Sequence, residues 1–542
     1  MSDVRTVLVT GPGGAGRTTA AAATALAAAR AGRRTLLLST DRDGTLDPVL
    51  GVTLGTAREA APHAPDSAPD SGARFGPGAG GGSYADADPY ADTDPYAPPA
   101  RPWTEPVAVA PGLWAARVAT AEYFRDEAAS LQERGSTALD MLGAAFLDSD
   151  ELTELPGAET LALLAALRAV RAVREEPAAP GGPAPGGPAP VGPAGSRASE
   201  ADPVSHGDPV SHGDPLANGA PAGRRSGRWD LVVVDMPAVS ETVRLLALPE
   251  QLRRYLRRLL PAERQAARAL RPLLAQLAGV QMPAQRLYET AERWEAELAA
   301  VQRVIDSAAT TVRLVVDPGP LAAEALRVAR AGLALQGCRI DALVANRLLP
   351  AGSADPWLAG LSGRQQTALK ELRSDYAADG VAVCETPHLG RDPQGLDDLT
   401  ELVDRTESAT KPVREPVPAP VPPAEPTEAD ATADSPPAPG LTTGIDGSGT
   451  RDGGPARDPW SVEDRLAEDG VLVWRLPLPG AHRDGLDLVR RGDELVVTVG
   501  PFRRIMPLPS ALRRCSVSGA GLRDGALHLR FTPDPPLWPR TS

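Results

Sequence analysis

The chain of 542 residues is long enough for several domains, but its 57 prolines and 53 glycines indicate that much of it does not pack into a core. The formal net charge of -14 argues against nucleic-acid binding as the main function, because phosphate backbones attract clustered lysine and arginine. The three cysteines are far apart and form no CxxC pair, so the sequence predicts neither a disulfide framework nor a cysteine zinc site.

The amino terminus lacks the features of a secretory signal peptide, because the apolar residues 7–10 run directly into a glycine-rich segment. The longest weakly polar run, residues 20–29, consists mostly of alanine and is too short to span a bilayer. We therefore expect a cytoplasmic protein without an integral membrane segment.

Short apolar runs alternate with long helical patterns in the first three quarters of the chain. Because each run is almost continuously hydrophobic, it is typical of a strand buried on both faces of a parallel sheet. The sequence therefore predicts an α/β domain in which helices cover both faces of the sheet. The predicted strands are residues 7–10, 35–39, 231–235, 314–317, 342–346 and 381–386, and a long helical region covers residues 248–307.

Three segments have no hydrophobic periodicity, and their Pro, Gly, Ala and acidic content cannot bury enough apolar surface to offset the entropy of ordering. We predict disordered insertions at about 57–105 and 175–228, and a disordered linker at 409–459. Residues 1–408 then form the α/β domain. After residue 460 the periodicity changes to two, which predicts a small all-β sandwich over residues 460–542.

The strongest motif is the segment GPGGAGRT at residues 11–18, which lies between a predicted strand and an alanine-rich helix. This is the context of a Walker A phosphate-binding loop, in which glycines let backbone N–H groups surround phosphate oxygens. The Thr18 hydroxyl can coordinate Mg²⁺. Arg17 replaces the usual lysine with a longer, forked cation. The alternative is a glycine-rich turn without a ligand. The predicted nucleotide-binding residues of this segment are Gly11, Gly13, Gly14, Ala15, Gly16, Arg17, Thr18 and Thr19.

Further segments follow this loop in order, and together they resemble the arsenite-pump and tail-anchored-protein-targeting ATPases across most of residues 1–408. They are residues 37–41, 154–159, 229–235 with 242–249, 346–350, and 385–387 with 395–396. The resemblance implies a P-loop NTPase that binds ATP or ADP with Mg²⁺. It also implies that Asp235 lies near Mg²⁺ through water, that Asn346 contacts the adenine edge and that Pro387 contributes to nucleotide binding. The alternatives are a capping role for Asp235 and a loop-stabilising role for Asn346.

The departures from the family pattern concern hydrolysis. Pro12 stands where the family has a lysine that reaches the phosphates of the dimer partner. Pro48 stands at the position matched to the aspartate that orients the attacking water, which leaves the neighbouring Asp47 as the candidate catalytic residue. Phosphoryl transfer depends on positioning and charge neutralisation, so these losses should reduce turnover more than binding. We therefore predict an ATP-binding switch with slow or absent hydrolysis.

The client chemistry of the family does not transfer, because the chain lacks a CxxC motif, a methionine-rich groove and clustered thiols. The predicted partners are a second copy or a paralogue in a dimer and an unidentified protein client. The carboxy-terminal domain resembles the small-heat-shock-like domain of some bacterial members.

Two functions are alternatives to the ATP-binding switch. They are a non-catalytic scaffold that retains the ATPase fold, and a partitioning or cell-division-positioning ATPase. The segment 244–249 and the β domain disfavour the latter.

Overall fold

The computed structural model describes residues 4–41, 43–55, 102–142, 147, 152, 155, 157–172, 229–259, 283–410 and 460–537. Eight strands form the central sheet, and nine of the described helices accompany it. The strands are β1 (Arg5–Gly11), β2 (Thr35–Ser39), β3 (Val107–Ala110), β4 (Leu113–Arg117), β5 (Leu231–Ala238), β6 (Thr310–Val316), β7 (Ile340–Leu348) and β8 (Ala382–Pro387). The helices are α1 (Arg17–Arg30), α2 (Leu46–Leu50), α3 (Thr120–Leu142), α4 (Ala158–Ala172), α5 (Val239–Leu259), α6 (Pro283–Ile305), α7 (Pro320–Leu335), α8 (Pro356–Ala377) and α9 (Gly395–Thr410).

The sheet has the order β3-β4-β2-β5-β1-β6-β7-β8, and its strands are parallel except for β3, which runs antiparallel to β4 at one edge. Strands β1, β2, β5 and β6 are buried almost throughout their length. This explains why their sequences are continuous apolar runs. The predicted α/β fold class is confirmed, and all six predicted strands are present.

The centre of the sheet places the phosphate loop. Strand β1 pairs in parallel with β5 on one side and with β6 on the other, so its carboxyl end opens between two neighbouring strand ends. Helix α1 begins at Arg17, after the loop of residues 12–16, and its residues 20–29 are buried. Nine of those ten are alanines or threonine, whose small side chains let the helix lie close to the sheet.

A buried ion pair joins β6 and β7 within the core. The Arg313 side chain is fully buried, and its Nη2 lies 3.2 Å from Oδ2 of Asp341, which is also buried. Arg313 also donates through Nη1 to the Thr24 hydroxyl of α1 at 3.4 Å. Because two buried charges satisfy each other, this pair fixes the packing of α1 on the sheet without leaving an unpaired charge.

The carboxy-terminal domain consists of two antiparallel sheets, which confirms the predicted all-β sandwich. One sheet has the order β14-β15-β10-β9 and the other β11-β12-β13. The strands are β9 (Ser461–Arg465), β10 (Val471–Pro477), β11 (Leu486–Arg491), β12 (Glu494–Val499), β13 (Phe502–Pro507), β14 (Cys515–Arg523) and β15 (Ala526–Pro533), and the one-turn helix α10 (Leu466–Asp469) joins β9 to β10.

This β domain packs against helices α5 and α7 of the α/β domain. Phe502 is buried and lies against Gly332 of α7, where an added Cβ would be only 2.4 Å from the Phe502 ring. Glu494 of β12 accepts hydrogen bonds from Arg254 at 2.6 Å and Arg258 at 3.0 Å, both on α5. A glycine on α7 therefore permits one close contact, and ion pairs between α5 and β12 form another.

The predicted insertion at 175–228 lies outside the described residues, as do residues 411–459 of the predicted linker. Most of the predicted insertion at 57–105 is also outside them. Its last residues are described, however, and Trp103 is buried and forms a bridge with Val118. The predicted insertion therefore extends a few residues too far, because the sequence pattern around a single buried tryptophan carries no periodicity. No helix within the described ranges is long and apolar enough to cross a membrane.

Candidate functional site

The segment between β1 and α1 forms a loop whose geometry depends on its glycines. Gly14 and Gly16 have positive φ angles of 77° and 80°, in the left-handed region that favours glycine. A Cβ added to Gly13 or Gly14 would meet nothing within 4 Å, so the loop is open on that side. Gly16 is the residue before α1, and no side chain caps the helix there. The first N–H groups of α1 are therefore available to an anion.

Asp235 lies beside this loop near the end of β5 and is almost fully buried. Its Oδ2 accepts a hydrogen bond from the Ser39 hydroxyl at 3.0 Å. Burial raises the pKa of Asp235 to about 6, and this rise is opposed by hydrogen bonds from Thr18 and Ser39 and by the charge of Arg17. The Asp235 carboxylate and the Thr18 hydroxyl are thus neighbours at the start of α1.

Arg17 connects the loop to the segment that follows Asp235. Its Nη1 donates to the carbonyl oxygen of Met236 at 3.0 Å. The next carbonyl oxygen, that of Pro237, accepts hydrogen bonds from the Thr10 and Thr242 hydroxyls at 2.7 and 3.0 Å. The chain between β5 and α5 is therefore fixed to the phosphate loop by side chains of β1, α1 and α5. Arg17 retains further N–H donors beyond the one bound to Met236.

Asn346 reaches the loop from the end of β7. Its buried Nδ2 donates to the carbonyl oxygen of Ala15 at 2.9 Å. The structure therefore brings Asn346 to the loop residues from 331 positions away in sequence. Pro387, the remaining predicted binding residue, is half-buried at the end of β8 and lies opposite Leu348 of β7 in the strand register.

Asp47 is bound in an ion pair with Arg117, whose Nη2 lies 2.7 Å from the Asp47 Oδ1. Asp47 belongs to the first turn of α2, and Arg117 ends β4. The carboxylate proposed to orient water is thus already engaged by a cation. In catalysis Asp47 would use the oxygen lone pairs that Arg117 leaves open, or the ion pair would have to break.

Asp41 is a carboxylate that sequence reasoning did not single out. It follows β2 by two residues, and its negative charge contributes to the raised pKa of Asp235. Its oxygens accept hydrogen bonds from the backbone N–H groups of Asp43 at 3.1 Å and Leu46 at 2.9 Å. The signal for it was present in the sequence, because an aspartate just after a strand commonly caps the next turn.

The residues present fit an Mg²⁺-bound nucleotide. Mg²⁺ prefers oxygen ligands and usually keeps several waters, so a hydroxyl, a nearby carboxylate and phosphate oxygens form a suitable set. Thr18 and Asp235 supply the first two. Within the described ranges there is no cluster of three or more His, Cys, Asp or Glu side chains able to hold a metal without a ligand.

The raised pKa of Asp235 predicts a measurable effect on stability. Its folded pKa of about 6 exceeds the ordinary 3.8, so the folded protein favours the protonated form of Asp235. The stabilisation of the fold by this protonation is complete below about pH 4 and is lost as the pH rises through 6. We expect Asp235→Asn to raise the unfolding free energy of the ligand-free protein at pH 7.5 by up to about 3 kcal/mol and to flatten its pH dependence. Denaturant unfolding at pH 5 and pH 7.5 measures this, with Asp487→Asn on an exposed strand as the control. A less stable Asp235→Asn protein at pH 7.5 contradicts it.

The chain is similar in sequence to a known family of ATPases. Residues 4–59 and 223–407 match the family model of the anion-transporting ATPases, and residues 469–531 match the HSP20-like domain found in ArsA. An uncharacterised protein of Streptomyces coelicolor is 44% identical over 538 residues, which cover 99% of this chain and 100% of that protein. A protein of Mycobacterium tuberculosis is 27% identical over 99% of this chain and 98% of its own length. A protein named as arsenical pump-driving ATPase 1 of Aquifex aeolicus is 23% identical over 53% of this chain and 63% of its own length.

Proposed function

Because the chain belongs to the anion-transporting ATPase family and carries the HSP20-like domain of that family, we propose that it is an Mg²⁺-dependent switch protein that binds adenine nucleotides. The observation that carries the proposal is the loop before α1. Its left-handed Gly16 leaves the helix N-terminus without a side-chain cap, and the Thr18 hydroxyl and Asp235 carboxylate lie together beside it. Backbone N–H groups can then bind phosphate, and the two oxygens can bind Mg²⁺ directly or through water.

The choice of adenine rests on Asn346. Since its amide nitrogen is bound to the carbonyl oxygen of Ala15, the orientation of the amide is fixed relative to the loop. The amide carbonyl can accept a hydrogen bond from the exocyclic amine of adenine. Pro387, at the end of the neighbouring strand β8, supplies an apolar surface for the base.

The role of a switch is supported by helix α5. It begins at Val239, just after the segment whose Met236 and Pro237 carbonyls are bound to Arg17 and Thr10. Farther along the same helix, Arg254 contacts Glu494 of the β domain. A nucleotide that moves the start of α5 would therefore act on the surface that holds the β domain. We propose that this change controls a dimer or client interface in the cytoplasm, with either a second copy or a paralogue as the dimer partner.

Slow or absent hydrolysis is part of the proposal. Pro12 contributes no cation, Arg17 is bound to the Met236 carbonyl, and Asp47 is bound to Arg117. At positions 12 and 17 the family pattern places lysines that act on the phosphates. Its water-orienting aspartate matches Pro48, and Asp47 is only the neighbouring carboxylate. The same three observations favour the second candidate function, a scaffold that retains the fold without using nucleotide.

Isothermal titration distinguishes the two functions. We expect the full chain to bind MgADP and MgATP and to be stabilised by about 2.7 kcal/mol when the ligand is present at one hundred times its dissociation constant. Omission of Mg²⁺ is expected to weaken binding. MgGDP serves as the control, because guanine has a carbonyl oxygen where adenine has its amine. Absence of both heat and thermal shift with every adenine nucleotide contradicts the switch and leaves the scaffold.

A further inference from the structure

Arg347, directly after Asn346, has a backbone conformation that is unusual for its residue type. Its φ angle is 58°, and among the described non-glycine residues only Asp524 is also in the positive region. The left-handed conformation costs an arginine free energy, whereas glycine adopts it readily and aspartate tolerates it. Such strain persists only where the surroundings impose it, and it concentrates at functional sites.

This conformation affects the directions of the neighbouring Asn346 and Arg347 side chains. Successive residues of a strand normally point to opposite faces of the sheet. The pairing of β7 with β8 shifts between Ala345 and Leu348, however, and both intervening side chains reach the phosphate loop. Asn346 donates to the carbonyl of Ala15 at 2.9 Å, and the Arg347 Nη1 donates to the carbonyl of Gly14 at 3.0 Å.

Gln365 of α8 fixes the backbone at Arg347 through two hydrogen bonds. Its Nε2 donates to the carbonyl oxygen of Arg347 at 3.1 Å, and its Oε1 accepts from the N–H of Leu349 at 2.9 Å. One side chain thus binds backbone groups on both sides of the turn. The backbone of Arg347 is therefore held in place by Gln365, whereas its side chain is partly exposed.

The guanidinium extends from the phosphate loop towards the loop that follows β8, the strand whose Pro387 is expected to contact the base. Nη1 is bound to Gly14 in the phosphate loop, and Nη2 lies 3.7 Å from Oδ1 of Asp392, in the loop that follows β8. Both contacts lie at the edge of the planar group, and 41% of the side chain is exposed, so its face is open to stack on a ligand. A guanidinium plane stacks well on an aromatic ring system.

We propose that Arg347 is a nucleotide-binding residue whose guanidinium stacks on the base, beside the edge contact of Asn346. This inference rests on the proposed function, since it requires that the loop binds a nucleotide. It adds a contact that the glycine loop and Asn346 do not provide, and it explains why a strained arginine stands where glycine would fold more easily.

Titrations with MgADP and with magnesium pyrophosphate test the proposal, because pyrophosphate has phosphates but no base. We expect Arg347→Ala to weaken MgADP binding by about 3-fold to 30-fold and to leave pyrophosphate binding unchanged. Arg347→Lys keeps the charge without the plane and is expected to recover only part of the loss. Arg364→Ala, an exposed arginine on α8, is the control and is expected to bind as the unmodified protein does.

Arg347→Gly separates binding from folding. Glycine adopts the positive φ without strain, so we expect unchanged or higher thermal stability together with the same loss of MgADP affinity. Equal MgADP affinity of the unmodified, Ala and Gly proteins overturns the inference but keeps the proposed function. An equal loss for pyrophosphate assigns Arg347 to the phosphates and overturns stacking. If the unmodified protein binds no MgADP, both the inference and the proposed function are overturned.

Discussion

Replacement of Gly16 by valine is expected to weaken MgADP binding by at least about 100-fold, a loss of about 2.7 kcal/mol. Gly16 has a φ angle of 80°, which a β-branched residue adopts only with strain. A Cβ at this position would lie 2.4 Å from Nδ2 of Asn346. The substitution therefore deforms the loop and displaces the amide that is bound to Ala15.

Gly32→Val is the matched control for this experiment. Gly32 lies just beyond the other end of α1, has a φ angle of 85°, and has nothing within 4 Å of an added Cβ. It therefore imposes the backbone strain of the Gly16 variant on the same helix without the collision at the site. Titration of both proteins, with thermal unfolding to confirm that they fold, gives the comparison. Equal loss of affinity in both variants would show that helix strain, and not loop geometry, limits binding.

The fold was predictable where the local hydrophobic pattern agrees with the burial of the strand. The central strands are apolar on both faces, so a continuous run such as residues 231–235 identifies a parallel strand without other information. Strand β3 was not predicted, because Val107–Ala110 is only partly buried and alternates weakly. Strand β4 was not predicted either, because two of its three buried residues are alanines, which give a weak strand signal. The edge strands β9 and β14 were missed as well, and most of their residues are exposed. The apolar signal fades wherever one face of a strand meets water.

The glycine-rich loop of the site was predictable from the sequence, whereas the contacts between residues far apart in the chain were not. A glycine-rich loop between a strand and a helix is a local pattern, and Gly16 takes the left-handed conformation that the pattern requires. The approach of Arg347 was not predictable, because strand alternation would place it on the face opposite to Asn346. It depends on the hydrogen bonds between Gln365 and the backbone around Arg347, and Gln365 belongs to helix α8 rather than to the strand. The ion pair of Asp47 with Arg117 depends in the same way on a strand 70 residues away.

Two carboxylates are candidates for orienting a water molecule, and substitutions separate them. Asp47 is engaged by Arg117, whereas Asp41 lies near enough to Asp235 to influence its pKa. If the loop opens during turnover and frees Asp47, Asp47→Asn removes any residual hydrolysis and Asp41→Asn has a smaller effect. The reverse result assigns the role to Asp41. Because the Asp41 oxygens also bind two backbone N–H groups, MgADP affinity must be measured for both variants to separate catalysis from loop structure.

The unmodified protein is expected to hydrolyse ATP at less than about 0.1 s⁻¹, a hundredth of a typical enzyme turnover. A single cation positioned on the transferred phosphoryl group is worth about 10³-fold to 10⁵-fold in related reactions, and Pro12 supplies none. Arg17 keeps a charge, but one of its nitrogens is bound to the carbonyl of Met236. Binding depends mainly on backbone N–H groups that these positions leave in place, so affinity and turnover should separate.

Pro12→Lys and Arg17→Lys, singly and together, test this separation through steady-state phosphate release. We expect the double variant to hydrolyse ATP at least about 10-fold faster than the unmodified protein, because each lysine adds an ammonium that can reach phosphate oxygens. MgADP affinity is expected to change much less, and its measurement confirms that the loop remains intact. Arg364→Lys on α8 controls for the exchange of arginine for lysine outside the site. Ordinary ATPase turnover in the unmodified protein, reduced by both lysines, would mean that Arg17 and its bond to Met236 form a working alternative to the usual lysine.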